Sequence, residues 1–169
     1  MSRDAQHSAI AIRPFTTRLT RFSGQSSVEV AASPEACFDL VCDTPRTPTW
    51  HEAIRAVEIL ERDADGRTSL VRAHVDALVA TVALDLRLSY QQPGLVRMLR
   101  EGGDLRDFTA TWTFDQSEHG QTRAGFEMQL DPGRGLSLLA RGPLVARLRT
   151  LLAEQPPLGL KRAVERANA

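Results

Sequence analysis

Hydrophobic and polar positions alternate with a period of two over much of this chain, and the clearest run lies between residues 107 and 130. Asp107-Phe108-Thr109-Ala110-Thr111-Trp112-Thr113-Phe114 alternates large apolar with polar or small residues. Ala124-Gly125-Phe126-Glu127-Met128-Gln129-Leu130 repeats the pattern after a Gly-containing turn. Successive side chains of a strand point to opposite faces, so the two runs predict a hairpin with one apolar and one wet face. Phe108, Trp112, Phe114, Phe126 and Met128 share the apolar face, and Thr111, Thr113, Glu127 and Gln129 the other. A sheet of this kind either covers its apolar face with another element or curves around a ligand.

The same patterning predicts the remaining elements. Residues 1–20 are aperiodic and read as a flexible arm. A first strand is expected over Gln25–Ala31, with Val28 and Val30 on one side. Ser33-Pro34-Glu35 then carries a hydroxyl cap, a proline at the first helical position and a carboxylate near the positive end of the dipole. Ala36, Cys37, Phe38, Leu40 and Val41 supply the apolar side of that short helix, which Asp43-Thr44-Pro45 ends. A second helical turn is expected over Pro48–Ala53. Strands follow over Ile54–Glu61 and Thr68–Asp76, joined by a turn containing Asp65-Gly66. Val82, Leu84, Leu86, Leu88 and Tyr90 mark one face of a long strand, and Gln92-Pro93-Gly94 turns it into a fifth near Leu95–Glu101. In the tail, Leu144, Leu148, Leu151 and Leu152 fall on one helical stripe that Leu160, Ala163 and Val164 resume. Between the two halves stands Pro156-Pro157, and proline disfavours helix both at itself and at the residue before it. A sharp kink or a non-helical step is therefore expected near Gln155–Leu158, leaving a second piece free to hinge.

Composition changes this picture little. The chain has 169 residues, enough for one domain over 21–169, and its 21 acidic and 21 basic residues balance. No net field draws it to nucleic acid. No apolar run is long enough to span a bilayer, which needs roughly 20 residues, so stable membrane insertion is not expected. The N-terminus lacks the order of a secretory signal, and cytoplasmic residence is expected. Cys37 and Cys42 are five apart on a helix. That places them roughly 140° apart around the axis, so they read as buried free thiols rather than a redox pair. His7, His51, His74 and His119 are scattered without ligand spacing, so no metal and no cofactor is expected.

The order of elements is strand, two short helices, six strands, C-terminal helix. Three stretches in that order carry a resemblance. They are Val28-Glu29-Val30-Ala31-Ala32-Ser33-Pro34-Glu35-Ala36-Cys37-Phe38-Asp39-Leu40-Val41, then Val57-Glu58-Ile59-Leu60-Glu61-Arg62-Asp63-Ala64-Asp65-Gly66, then Gly103-Asp104-Leu105-Arg106-Asp107-Phe108 running into Thr111-Trp112-Thr113-Phe114. Over residues 22–168 the chain resembles the START and birch-pollen-allergen superfamily, in its bacterial polyketide-cyclase/dehydrase and coenzyme-Q-binding branch. The resemblance implies an α+β helix-grip fold, a curved seven-stranded antiparallel sheet around the long C-terminal helix, with an elongated apolar cavity between them. It departs from the family at Pro156-Pro157, where related helices run unbroken, and at Ala110, where glycine is common.

Candidate chemistry is sparse. There is no nucleophile triad spacing, no phosphate loop and no inward carboxylate pair. Trp50, Phe108, Trp112 and Phe126 either line a pocket or fill a core, and a curled sheet with one helix favours lining. Tyr90 shares the inward parity, so its hydroxyl reaches either a ligand or water at the strand end. Arg100 also has inward parity, and a bulge that turns it outward is expected because an unpartnered buried arginine is costly. His51 is expected as an exposed loop residue by the cavity mouth, where His51→Ala matters little for a hydrophobic probe. The expected ligand-binding set is Trp50, Tyr90, Met98, Phe108, Trp112, Phe126, Met128 and Leu148, with no catalytic residue. An apolar lining favours holding a ligand over acid–base work. The leading reading is a binding domain for a hydrophobic small molecule (polyketide, isoprenoid quinone or lipid), as monomer or homodimer. The second is a polyketide aromatase/cyclase, and the third a protein-interaction module with a vestigial pocket.

Overall fold

Seven strands, each near the length its alternation predicts, pair into one antiparallel sheet in the computed structural model, which describes residues 21–137 and 141–169. The arm expected over 1–20 lies outside the described residues. The strands are β1 (Phe22–Val30), β2 (Ile54–Arg62), β3 (Thr68–Asp76), β4 (Thr81–Gln91), β5 (Leu95–Gly103), β6 (Asp107–Gln116) and β7 (Thr122–Asp131). Their order is β1-β7-β6-β5-β4-β3-β2. Consecutive strands from β2 to β7 are neighbours, while β1 and β2 form the two edges. The chain between those edges must therefore cross the sheet, and it carries α1 (Pro34–Cys42) with it. Ser33 caps α1 as expected, its Oγ accepting the Ala36 N–H at 3.3 Å.

Two boundaries differ from expectation. The second helical turn arrives four residues early, as a 3₁₀ turn over Thr44–Thr49. Pro45 suits its start, and the amides of Trp50 and His51 both return to the Thr47 carbonyl, at 3.2 and 2.9 Å, which closes it. Strand β1 begins at Phe22, because β7 supplies partners from Phe22↔Leu130 to Val30↔Thr122. Its inward positions Gly24 and Ser26 are small for a reason: the C-terminal helix lies directly on them. A Cβ added at Gly24 would stand 2.5 Å from the Ala153 Cβ.

That helix also corrects the expectation at the prolines. It runs as α2 (Pro143–Arg149), one π-helical turn over Thr150–Glu154, and α3 (Gln155–Ala167), with no non-helical step. Gln155 keeps helical angles (φ −72°, ψ −33°), and its N–H reaches back five residues to the Thr150 carbonyl. The widened turn absorbs the register error that two missing amides create. In a regular helix the Ala153 carbonyl would accept from residue 157, which is proline. The Ser26 hydroxyl takes that place at 2.5 Å. Nor is the second piece free to hinge. Lys161 Nζ donates to the Glu29 carbonyl at 2.8 Å, and Glu165 accepts the Ala31 N–H at 2.9 Å, so α3 is pinned along β1.

Gly159 sets the spacing between α3 and the loop that carries Trp50. A Cβ there would stand 2.1 Å from the Trp50 carbonyl oxygen, a backbone atom that cannot swing away. Gly159→Ala is accordingly expected to destabilise the protein by about 1–3 kcal/mol despite alanine's better helix propensity. Urea denaturation checks the sign.

The convex face is wet and charged. Arg72 pairs with Asp85 at 2.7 Å, and Arg87 sits between Glu61 and Glu101 at 2.6 Å from each. Exposed pairs of this kind contribute about 0–1 kcal/mol apiece, so they orient the sheet toward water more than they hold it together.

Candidate functional site

The apolar alternates converge on the concave face, and the C-terminal helix covers them without filling the space. A cavity of about 120 Å³ remains between the sheet and that helix. One buried water needs only roughly 10–15 Å³, and an apolar cavity of about 150 Å³ takes a benzene-sized guest, so this space matches a single small ring. Longer ligands would have to displace flexible lining side chains, and Met98, Met128 and Leu152 are the lining residues best able to move.

The hairpin register is as the alternation predicts. Trp112 is 1% exposed, Met128 2% and Phe126 6%, while Thr111 and Thr113 are half-buried and Glu127 and Gln129 exposed. Trp112 is the hub of the aromatic group. Its ring lies 4.6 Å from that of Phe126, 5.9 Å from Trp50 and 6.1 Å from Phe114. Of the residues named from sequence, Trp50, Met98, Phe108, Trp112, Phe126, Met128 and Leu148 all line the cavity.

Tyr90 does not line it. The Tyr90 hydroxyl donates to the Thr68 carbonyl at 2.5 Å, and its ring packs edge-on against Phe38 of α1. The inward parity holds, but α1 crosses the sheet over that end of β4 and separates Tyr90 from the cavity. Burial pushes its phenol well above the usual range.

Arg100 departs from expectation in another way. A bulge is present, but it falls one residue late: Asp85 pairs with Gly102 and Leu86 with Arg100, leaving Glu101 as the extra residue. Arg100 therefore keeps the inward parity of Leu86. It is half-buried with Nε unpartnered, its Nη2 donates to the Gly103 carbonyl at 3.3 Å, and it stays outside the cavity lining.

His51 is the largest change from the sequence reading. It is not an exposed loop residue but part of the cavity wall, beside Trp50 with ring centroids 5.8 Å apart. The 3₁₀ turn and the Ile54 N–H, which donates to the His51 carbonyl at 3.0 Å, pull this loop onto the sheet. Burial pushes the imidazole down to about 4, so the ring is neutral at pH 7. Among the described residues it is the one titratable group in the lining. The sequence reading also misses Phe22 and Leu105. Phe22 lies outside the expected strand, and Leu105 is a lone apolar residue in the charged Asp104–Asp107 turn, which is a usable signal.

Other reactive groups stand apart from the cavity. Burial raises the thiols of Cys37 and Cys42 to about 11 and about 12, so both are protonated and neither is a nucleophile at neutral pH. Both are free; Cys37 is buried and Cys42 half-buried. Among the described residues no group of three or more His, Cys, Asp or Glu side chains is placed to hold a metal ion. No helix among them is long and apolar enough to cross a membrane.

A family model described as polyketide cyclase / dehydrase and lipid transport matches residues 21–165. No curated protein matches the chain. Among solved structures, a START superfamily protein from Mycobacterium smegmatis is similar with a TM-score of 0.74 at 22% identity, over 86% of this chain and 98% of that one. The protein TTHA0849 from Thermus thermophilus is similar at 0.74 and 19% identity, over 87% and 99% of the two chains. The Zhui aromatase/cyclase from Streptomyces sp. R1128 is similar at 0.68 and 16% identity, over 88% and 96%. At these identities the likeness is one of fold, the helix-grip arrangement described above.

Proposed function

The chain belongs to the polyketide cyclase/dehydrase and lipid-transport family, and from that premise we propose that it binds a hydrophobic small molecule, such as a polyketide, an isoprenoid quinone or a lipid, between the sheet and the C-terminal helix. The observation that carries this reading is the cavity itself: about 120 Å³ lined by side chains that are almost all apolar. Transfer of a guest from water into such a space is favoured by roughly 25 cal/mol for each Å² of apolar surface buried. Specificity then rests on shape and on the few polar atoms in the wall.

Native mass spectrometry of the protein purified from its own source tests the reading. A retained hydrophobic molecule is expected, or failing retention, one-to-one uptake of the neutral probe N-phenyl-1-naphthylamine. Protein that carries nothing and takes up no such probe would overturn it.

One observation favours the cyclase alternative, the placement of His51 in the wall, an imidazole beside the space a bound poly-ketone would occupy. Turnover of a poly-ketone chain that is lost in His51→Phe would establish that reading over simple carriage. The interaction-module alternative fares worse. It requires a filled interior and a broad apolar patch, whereas the exposed large apolar side chains among the described residues are spread over β2, the β3–β4 turn, β5 and α3.

A further inference from the structure

Two buried polar atoms on residues of the cavity wall are left unexplained by the apolar reading. Trp50 Nε1 and His51 Nδ1 are both shielded from solvent, and neither has a hydrogen-bond partner. They belong to consecutive residues, both of which line the cavity, and Trp50 is only 7% exposed. Native proteins leave few buried polar atoms unpaired, and each such atom calls for a reason. Two of the other polar groups in this stretch are already engaged. Thr44 Oγ1 donates to Thr68 Oγ1 at 3.4 Å, and the Thr47 carbonyl accepts two amides. Two neighbouring unpaired ring nitrogens in an otherwise apolar wall form the kind of feature that a ligand completes.

We propose that Trp50 and His51 anchor the polar end of the ligand, which is a molecule with an apolar body and one neutral oxygen function, a hydroxyl, phenol or ketone. This rests on the reading that the cavity holds a ligand, and adds the chemistry of that ligand. An indole nitrogen only donates, so the group it meets must carry lone pairs. A neutral imidazole carries one donor and one acceptor nitrogen, so it serves a hydroxyl or a carbonyl according to its tautomer. A carboxylate or phosphate is excluded by the same surroundings: no cationic side chain lines the cavity among the described residues, and an uncompensated buried anion is very costly. Both nitrogens are shielded as the rings stand. The anchor therefore requires a turn of each ring about its Cβ–Cγ bond, toward the cavity that both residues line. Discrimination should be strong, because a site with buried hydrogen-bonding groups rejects an analogue that lacks the matching atom.

Phenol and toluene test this directly, since they match in size and differ by one hydroxyl. Dissociation constants for both are measured in the wild-type protein and in His51→Phe and Trp50→Phe. The toluene-to-phenol ratio is expected to fall about tenfold in His51→Phe, with toluene affinity kept or improved, and to fall in Trp50→Phe also. A second readout needs no variant: the His51 ring ¹⁵N and Trp50 indole N–H resonances of the wild-type protein should move with phenol beyond the ring-current change that toluene gives. A ratio unchanged within twofold, with resonances that respond alike to both probes, overturns the anchor and leaves the apolar cavity standing. Failure of both probes to bind the wild-type protein overturns the cavity reading and the anchor with it.

Discussion

Trp112→Ala is expected to lower the unfolding free energy by about 3–5 kcal/mol, the range for truncating a fully buried large aromatic. Trp112 is 1% exposed and touches three other aromatic rings, so its removal strips contacts from Trp50, Phe114 and Phe126 together. The cavity beside it makes the loss harder to recover, because neighbours can relax inward only by giving up other contacts. Thr111→Ala, one residue away on the wet face, should change stability by no more than about 0.5 kcal/mol. Urea denaturation of the two variants reads the contrast. Equal effects would mean that the strand register is wrong. Any loss of probe affinity in Trp112→Ala counts only where the variant is shown to be folded.

Acid is expected to remove on the order of 3 kcal/mol through His51 alone, between pH 6.5 and pH 4. Burial holds this imidazole at about 4 in the folded protein, against 6.5 for a free histidine. Between those values the unfolded chain binds a proton and the folded one does not. Stability therefore rises with pH across the window: the contribution is fully present above 6.5 and is lost as the pH falls toward 4. The carboxylates act lower down. Hydrogen bonds hold several below their usual range, from Arg55 to Asp76, from Arg72 to Asp85 and from Arg87 to Glu101, so what they contribute is lost as the pH falls from the ordinary carboxylate range through those depressed values. Urea midpoints between pH 5 and 6.5 isolate His51. A mean slope of about 1 kcal/mol per pH unit is expected in the wild-type protein, and a much shallower one in His51→Phe. The same slope in both proteins would place the histidine in water after all.

The fold is legible in the sequence because its signals are periodic. Strict alternation marks both strands of the β6–β7 hairpin and the long strand β4, and the Ser33-Pro34-Glu35 cap marks α1. In those elements local preference and tertiary burial agree, which is what makes a pattern readable. Strand β1 is readable only at its Val28–Val30 end. Ser23 to Ser27 contains no large apolar residue, because its inward positions admit a helix rather than fill a core. The helix at Pro156-Pro157 misleads for a related reason. Proline predicts a break in isolation, but a serine 127 residues away along the chain supplies the donor that proline lacks, and one wide turn takes up the slack. The candidate site divides the same way. Strand residues follow from parity, whereas Tyr90 and His51 depend on where α1 and the loop after it cross the sheet. Parity tells which face a side chain takes and says nothing of what lies above it.

The most direct measurement of the central claim is a fluorescence titration with N-phenyl-1-naphthylamine, comparing the wild-type protein with a variant whose cavity is filled from the sheet side. Ala73, 4% exposed on β3 and part of the lining, is suited to this, because its partners Val57 and Leu84 hold its Cβ toward the space. Overpacking commonly costs about 1–3 kcal/mol, so the fold of Ala73→Phe is checked first by its unfolding transition. With that transition intact, saturable one-to-one binding is expected in the wild-type protein and at least tenfold weaker binding in Ala73→Phe. Superimposable titrations from two folded proteins would contradict the claim that the ligand lies inside the sheet.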